Sequence, residues 1–474
     1  MKNYNILFLV FLSLILGNKA QTAQIVYPKT QTVTINSPVT FFIGNEKSGN
    51  ELYINNEKVK VHPSGGFYHV VKLNNGENVF KIDNKTGDIQ TFKIIRPAAA
   101  AKTETKLKYS DFSEPAVYQT NDDKSPLRNA PNDSGTSRLQ NLQKNIPLNI
   151  IGYYGNFYKV KLAADDYAWI DKSYLTKNSG VDNSPANIIS TELSENDSKI
   201  IYKVTLDKKV PYVVSEKRKF DIINEKYEPS SNGLDITLYN VNNFAEYKYD
   251  IGLTTENSLF GYKTYFTESN EFITEIKKLP QYNSKKPLSG IKIMLDPGHG
   301  GSEYGAIGCL GDKEKDINLA IALKTKPLLE KAGAAVYLTR NKDIDLGLYD
   351  RVKYSQTNNS DIFISIHANA LPDSLAETYR SGTSTYYFHP QAAPLSRIML
   401  ETMTKELGTN NDKARQESFA VIRNPESVSI LVEVGYMINP EDNAKLISPD
   451  FQQKVGLSIL HGLERYINEL NSEK

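Results

Sequence analysis

Two of the chain's six histidines follow short apolar runs. His299 stands in LDPGHGG (295–301) after IKIM, and His367 lies near the end of DIFISIHA (361–368). A turn needs glycine and proline for their backbone angles, but it has no use for an imidazole. Two carboxylates stand in comparable company: Glu314 in the first helical turn of GDKEKDIN, and Glu433 inside the apolar strand SILVEVGYM (429–437). His299, Glu314 and His367 are a sufficient ligand set for catalytic Zn²⁺, which takes three protein ligands and keeps one position for water. Such a metal acidifies water and polarises a carbonyl. Amide hydrolysis also needs a group that takes the water proton and delivers it to the leaving amine. Glu433, not required as a ligand, is the candidate. Each residue has a simpler reading: His299 as decoration of a turn, Glu314 as a partner of the helix dipole, His367 as a polar cap. Glu433 resists one, because burying an unpaired carboxylate is costly. It is the coincidence of all four that points to hydrolysis.

Such distant residues meet only if strand ends bring them together. From Ile291 onward apolar runs alternate with helical periodicity. IKIML, AAVYLT (334–339), DIFISIHA, STYYF (384–388) and SILVEVGYM read as strands. EKDINLAIALKTKPLLEKAG, RVKYSQTN, PLSRIMLETMTKELG (394–408) and the final segment from PDFQQ read as helices. This alternation predicts an α/β domain over 290–470 with a mostly parallel sheet, in which functional groups gather at the carboxyl ends of the strands. A phosphate-binding reading of the glycine-rich turn fails, because no Lys-Ser/Thr follows it.

Upstream, the chain reads as β-rich. Residues 25–97 alternate as short strands separated by SGN, PSGG and NNGEN, the pattern of an Ig-like sandwich. A linker is expected over 98–115, a small β module over 116–178 and a second over 187–285, with QYNSKKPLSG leading into the last domain. The N-terminus carries one lysine before an apolar run from Ile6 to Leu16, which suits a secretory signal over 1–20 and is too short to span a bilayer. The expected destination is periplasmic or secreted and wall-associated, with no stable membrane insertion once the signal is removed. With 56 Lys+Arg against 55 Asp+Glu, no strong field favours nucleic acid or anionic membranes. Cys309 is the only cysteine, so no intramolecular disulfide forms.

The last domain resembles the zinc-dependent N-acetylmuramoyl-L-alanine amidases of the amidase-3 type. The resemblance rests on LDPGHGG, EKDINLAIAL (314–323), YLTR (337–340), the arginine of YDRVKYSQT, FISIHANA (363–370), FAVIRNP (419–425) and ILVEVGYMIN (430–439). It implies zinc bound by His299, Glu314 and His367, and Glu433 as the catalytic carboxylate. Arg351, Asn369 and Arg423, which stand in these motifs, are expected to bind substrate or support the site. The implied partner is peptidoglycan, cut between muramic acid and L-alanine of the stem peptide. A zinc peptidase acting within the stem peptide, or a wall-binding protein with an inactive catalytic domain, are the alternatives. The 116–178 segment resembles a bacterial SH3 module, and 187–285 resembles the AMIN-like β-sandwich found ahead of murein amidases. Some amidases of this type carry a blocking helix after the second histidine. Here LPDSLAETYR leaves room for about two helical turns at most, so no obligatory activator protein is expected. Cys309, His389 and His461 are expected to be structural.

Overall fold

The computed structural model describes residues 22–98, 108–178, 180–221, 226–255 and 258–472. The signal expected over 1–20 lies outside them. The chain forms two compact units: the described residues through Ala98 together with Pro372–Glu377, and the remainder.

In the first unit, a three-stranded sheet (Gln24–Tyr27, Val39–Asn45, Gly66–Lys72) and a five-stranded sheet enclose an apolar core that includes Phe42, Phe67, Ile54 and Ile94. In the second unit, β structure continues to Lys277. A seven-stranded sheet over 109–177 is followed by a four-stranded and a three-stranded sheet over 188–277. Leu127, Leu148 and Ile170 of the seven-stranded sheet share one apolar cluster with Val204, Leu234 and Phe272 of the next two. The linker expected over 98–115 is shorter than that, because Tyr109–Thr120 is a strand. Its backbone pairs with Pro147–Tyr154 on both sides of a register shift, which the aromatic-poor reading of the preceding residues did not anticipate.

The catalytic-type domain follows, and its elements are numbered from its first strand. They are β1 (Lys292–Pro297), α1 (Glu314–Lys331), β2 (Ala335–Leu338), α2 (Leu348–Thr357), β3 (Ile362–Asn369) and β4 (Thr383–Tyr387). Then come α3 (Ala393–Leu407), β5 (Asn411–Gln416), β6 (Val428–Tyr436), α4 (Pro440–Leu446) and α5 (Pro449–Ser472). The sheet order is β2-β1-β3-β6-β4-β5. β2, β1, β3 and β6 run parallel, whereas β4 is antiparallel to β6 and parallel to β5. Ile293, Met294 and Leu295 are all fully buried, as expected of a strand covered on both faces. Helix α1 ends before Gly333, whose φ of 102° suits glycine, and α3 ends at Gly408 with φ 62°. Along α5, Val455, Ile459, Leu463 and Ile467 recur every fourth residue and pack into the domain core with Ile321 and Leu395. Among the described residues, no helix is long and apolar enough to cross a membrane.

Candidate metal centre

The parallel register aligns the carboxyl ends of three strands. Asp296 of β1 pairs with Ser365 of β3, and His367 of β3 pairs directly with Glu433 of β6. Two residues past β1, His299 adopts a left-handed φ of 60°. The first turn of α1 supplies Glu314. One ligand-type atom each from His299, Glu314 and His367 lies within 4.8 Å of the others. His299 Nε2 stands 3.2 Å from Glu314 Oε2, and His367 Nδ1 stands 2.9 Å from Glu314 Oε1. The two imidazoles meet edge to face at 4.9 Å.

The surroundings hold this set in place. Glu314 is buried, and its carboxylate accepts hydrogen bonds from the backbone N–H of Ala306 (2.8 Å) and Ala368 (3.2 Å) and from Asn318 Nδ2 (3.2 Å). Burial alone would push the Glu314 carboxyl up, but hydrogen bonds from His299 and His367 outweigh it and hold it well below the usual carboxylate range. Glu433 moves the opposite way: burial first, and the nearby Glu314 charge second, push it well above its ordinary value. Its Oε2 is shut from solvent and has no hydrogen-bond partner among the described residues. Two glycines make room. A Cβ on Gly298 would lie 2.2 Å from the His367 ring, and one on Gly305 would lie 2.3 Å from Glu314 Oε2. The donor set therefore fits a zinc ion: two imidazoles and an ionised carboxylate converge, beside an acid with one oxygen unclaimed.

Behind the three candidate ligands lies a second set of buried groups, of which sequence reasoning singles out only Arg351, as a substrate-binding or supporting residue. Asp296 accepts from Thr339 Oγ1 (2.6 Å), Ser365 Oγ (2.7 Å) and Arg351 Nη1 (2.8 Å). Arg351 also donates to the carbonyls of Pro297 (2.9 Å) and His299 (2.8 Å). Arg340 donates to those of Pro297 (2.9 Å), Gly298 (2.9 Å) and Lys315 (2.8 Å). Two arginines thus pin the backbone of the His299 turn, and one of them reaches the start of α1. The aspartate before PGHGG and the arginine of YLTR were visible signals for this arrangement, but spacing alone could not pair them.

The remaining candidates separate. Arg351 packs beneath the turn, and Asn369 ends β3 after a register shift, opposite Tyr436. Arg423 lines a cleft that contains none of His299, Glu314, His367 or Glu433. Cys309 is fully buried, its Sγ 3.2 Å from the Ile438 carbonyl, and burial pushes its thiol far up. His389 lies between Glu216 (3.1 Å) and the Arg423 carbonyl (3.0 Å), and His461 pairs with Glu406 at 3.0 Å.

Comparison with known proteins meets this geometry over the same residues. The N-acetylmuramoyl-L-alanine amidase family profile matches residues 293–465. The chain is 35% identical over 187 residues to a probable cell wall amidase LytH of Staphylococcus epidermidis, covering 39% of this chain and 61% of that one. It is 32% identical over 201 residues to the germination-specific N-acetylmuramoyl-L-alanine amidase of Bacillus subtilis, covering 39% and 82%. The catalytic domain of CwlV from Bacillus (Paenibacillus) polymyxa aligns with a TM-score of 0.36 and 33% identity, over 38% of this chain and 98% of that one. The chain thus spans less than two thirds of the LytH relative and most of the germination-specific one.

Proposed function

From the premise that the chain belongs to the N-acetylmuramoyl-L-alanine amidase family, we propose that it hydrolyses the amide between N-acetylmuramic acid and L-alanine of peptidoglycan stem peptides. The observation that carries this reading is the convergence of His299, Glu314 and His367 within 4.8 Å, with Glu433 on the strand paired to His367. His299, Glu314 and His367 would hold Zn²⁺. When bound, the ion supplies Lewis acidity to water and to the amide carbonyl. The chain's own groups do the rest. Ala306, Ala368 and Asn318 hold the Glu314 carboxylate in its aim. The Glu433 side chain, with one oxygen unclaimed among the described residues, accepts the proton of the attacking water as the carboxylate and hands it to the departing nitrogen as the acid. Its buried setting brings that exchange nearer neutral pH than a free glutamate would manage.

Asn369 and Arg351 serve this site by position and support rather than as ligands. The segment between β3 and β4 holds a short 3-10 turn, Asp373–Thr378, and the proposed reaction invokes no activator protein. Export to the periplasm or cell wall, through the N-terminal signal, accords with a polymeric wall substrate. The β-rich region before Lys277, as Ig-like, SH3-like and AMIN-like modules, would keep the enzyme on that polymer. Digestion of purified peptidoglycan followed by mass spectrometry tests the reading. Intact stem peptides with a free L-alanine amine are expected; fragments cut within the stem would instead assign a peptidase. Zinc analysis of His299→Ala and His367→Ala should show strong metal loss, and full occupancy in either would remove that residue from the ligand set.

A further inference from the structure

A cleft of about 800 Å³, lined by none of the four residues of the metal centre, lies where three segments of the second unit meet. The Arg138–Leu142 strand gives one wall and the Tyr262–Phe266 strand another, while Tyr349 and Arg423 come from the catalytic-type domain. Its charges are unevenly matched. The lining carboxylates form their hydrogen bonds away from the two arginines: Asp122 accepts from the Lys124 N–H (2.7 Å), Asp123 from the Lys144 N–H (3.2 Å), and Glu426 from Gln356 Nε2 (2.6 Å). Neither cleft arginine has an acidic partner among the described residues. Among the described residues Arg138 donates to the neutral Asn141 amide, at 3.1 Å, and Arg423 has the Tyr349 hydroxyl beside it, while its Nε is shut from solvent without an acceptor. The Arg423 backbone is fixed by His389 (3.0 Å) and by the Tyr262 N–H bonded to the nearby Pro425 carbonyl (2.9 Å), so its side chain cannot retreat by moving the loop. Burial, and after it the Arg138 charge, hold the Arg423 guanidinium below its ordinary range.

Two guanidiniums that line one partly buried cleft, neither in an ion pair among the described residues, can together receive an anion from outside. We propose that this cleft binds a peptide through a free carboxylate, taken up jointly by Arg138 and Arg423. The planar fork of arginine matches a carboxylate in two parallel hydrogen bonds. The size of the cleft favours a peptide over a bare inorganic anion, since it falls in the range that encloses molecules of several residues. The exposed Tyr349 ring, which carries the Lys124 ammonium 4.8 Å from its centre, offers a face for the rest of the chain. That the peptide is a wall stem peptide rests on the amidase reading.

The test is calorimetric titration of the full chain with the free-acid tetrapeptide L-Ala-γ-D-Glu-L-Lys-D-Ala. This probe has no muramoyl amide and reports binding whether or not the enzyme hydrolyses anything. One site per chain is expected. Amidation of both peptide carboxyls, or Arg423→Gln, should weaken binding about tenfold or more, the usual scale for a charged hydrogen-bond pair. Arg138→Lys keeps the charge without the fork on a half-buried surface strand, and should lose about threefold. Equal binding of the acid and the amidated peptide, or wild-type affinity in both variants, would overturn the proposal. Inorganic phosphate binding as tightly as the peptide would also overturn it, leaving a simple anion site. Cleavage of muropeptides without tetrapeptide binding sinks this site and spares the amidase reading, and binding without cleavage does the reverse.

Discussion

Gly298 offers a sharp test of how His367, a proposed zinc ligand, is placed. A Cβ at this position would stand 2.2, 2.3 and 2.6 Å from His367 Cε1, Nε2 and Nδ1, whereas ordinary contact begins near 3.4 Å, so Gly298→Ala must drive ring and backbone apart by about 1.2 Å. The backbone has nowhere to go. The Gly298 N–H is bonded to the Ile366 carbonyl at 3.0 Å, and its own carbonyl accepts from Arg340 at 2.9 Å and Asn318 at 3.3 Å. The ring must therefore move, and it leaves the 2.9 Å contact with Glu314 to do so. Metal–ligand distances tolerate roughly 0.2 Å, so one of the three proposed ligands would be lost from productive geometry. Disturbing a group that merely orients a ligand costs about 10–100-fold in affinity; displacing the ligand itself should cost at least about 100-fold, or ~2.7 kcal/mol. Zinc affinity measured by chelator competition reads this directly, with the far-ultraviolet dichroism of the metal-free protein showing that the fold is kept. Wild-type zinc affinity in a folded Gly298→Ala protein would refute the argument that this glycine exists to admit the imidazole.

Glu433→Gln should retain zinc and lose about 10²–10⁴-fold in turnover, the usual share of a general acid–base group, and a loss under about threefold would assign the proton to another residue. The same substitution tests the electrostatics in chelator-stripped protein. The folded Glu433 carboxyl is raised, so its ionisation opposes folding once pH exceeds the unfolded value of about 4.3. Metal-free Glu433→Gln should thus melt higher than the parent at pH 7, with the difference vanishing below about pH 4; a constant difference across that window would argue against a raised carboxyl. Arg351→Met leaves buried Asp296 without its counter-charge, a class of change that costs about 3–5 kcal/mol, and should lower the melting temperature of the metal-free protein by roughly 6–20 °C for a domain of this size. Cys309→Ser should keep zinc and most of the activity, and metal loss in that variant would make the thiol a ligand.

The sequence carried the site further than the scaffold around it. His299, Glu314, His367 and Glu433 were legible because each is a chemically expensive residue at a strand end or helix start, where periodicity changes. The buried strands and long helices were legible from the same periodicity. Strand β5, NDKARQ, was not: it is a polar edge strand, and edge strands carry no apolar alternation to read. The antiparallel placement of β4 depends on which neighbour it joins, a long-range matter that a local pattern cannot express. The Asp296–Arg351–Arg340 arrangement escaped for a related reason. Asp296 is separated from each arginine by more than forty residues, and Arg340 joins the turn only through backbone carbonyls, which leave no trace in residue type. Arg423 was legible as a motif residue, but its place in the cleft required knowing which β strand would pack beside it.

The apolar cluster shared by Leu127, Leu148 and Ile170 with Val204, Leu234 and Phe272 bears on how the β-rich part of the second unit comes apart. Sheets that bury side chains in one common interior gain or lose that interior together, so their disassembly is coupled even though their backbones pair separately. Heat absorption over residues 109–277 should then appear as one cooperative event, with a calorimetric enthalpy that matches its van't Hoff value. A protease that nicks the connection between Lys177 and Ile188 should release no freely folding half. Removing either half would expose apolar side chains of the other to water, so the two halves should be expressed together to stay folded.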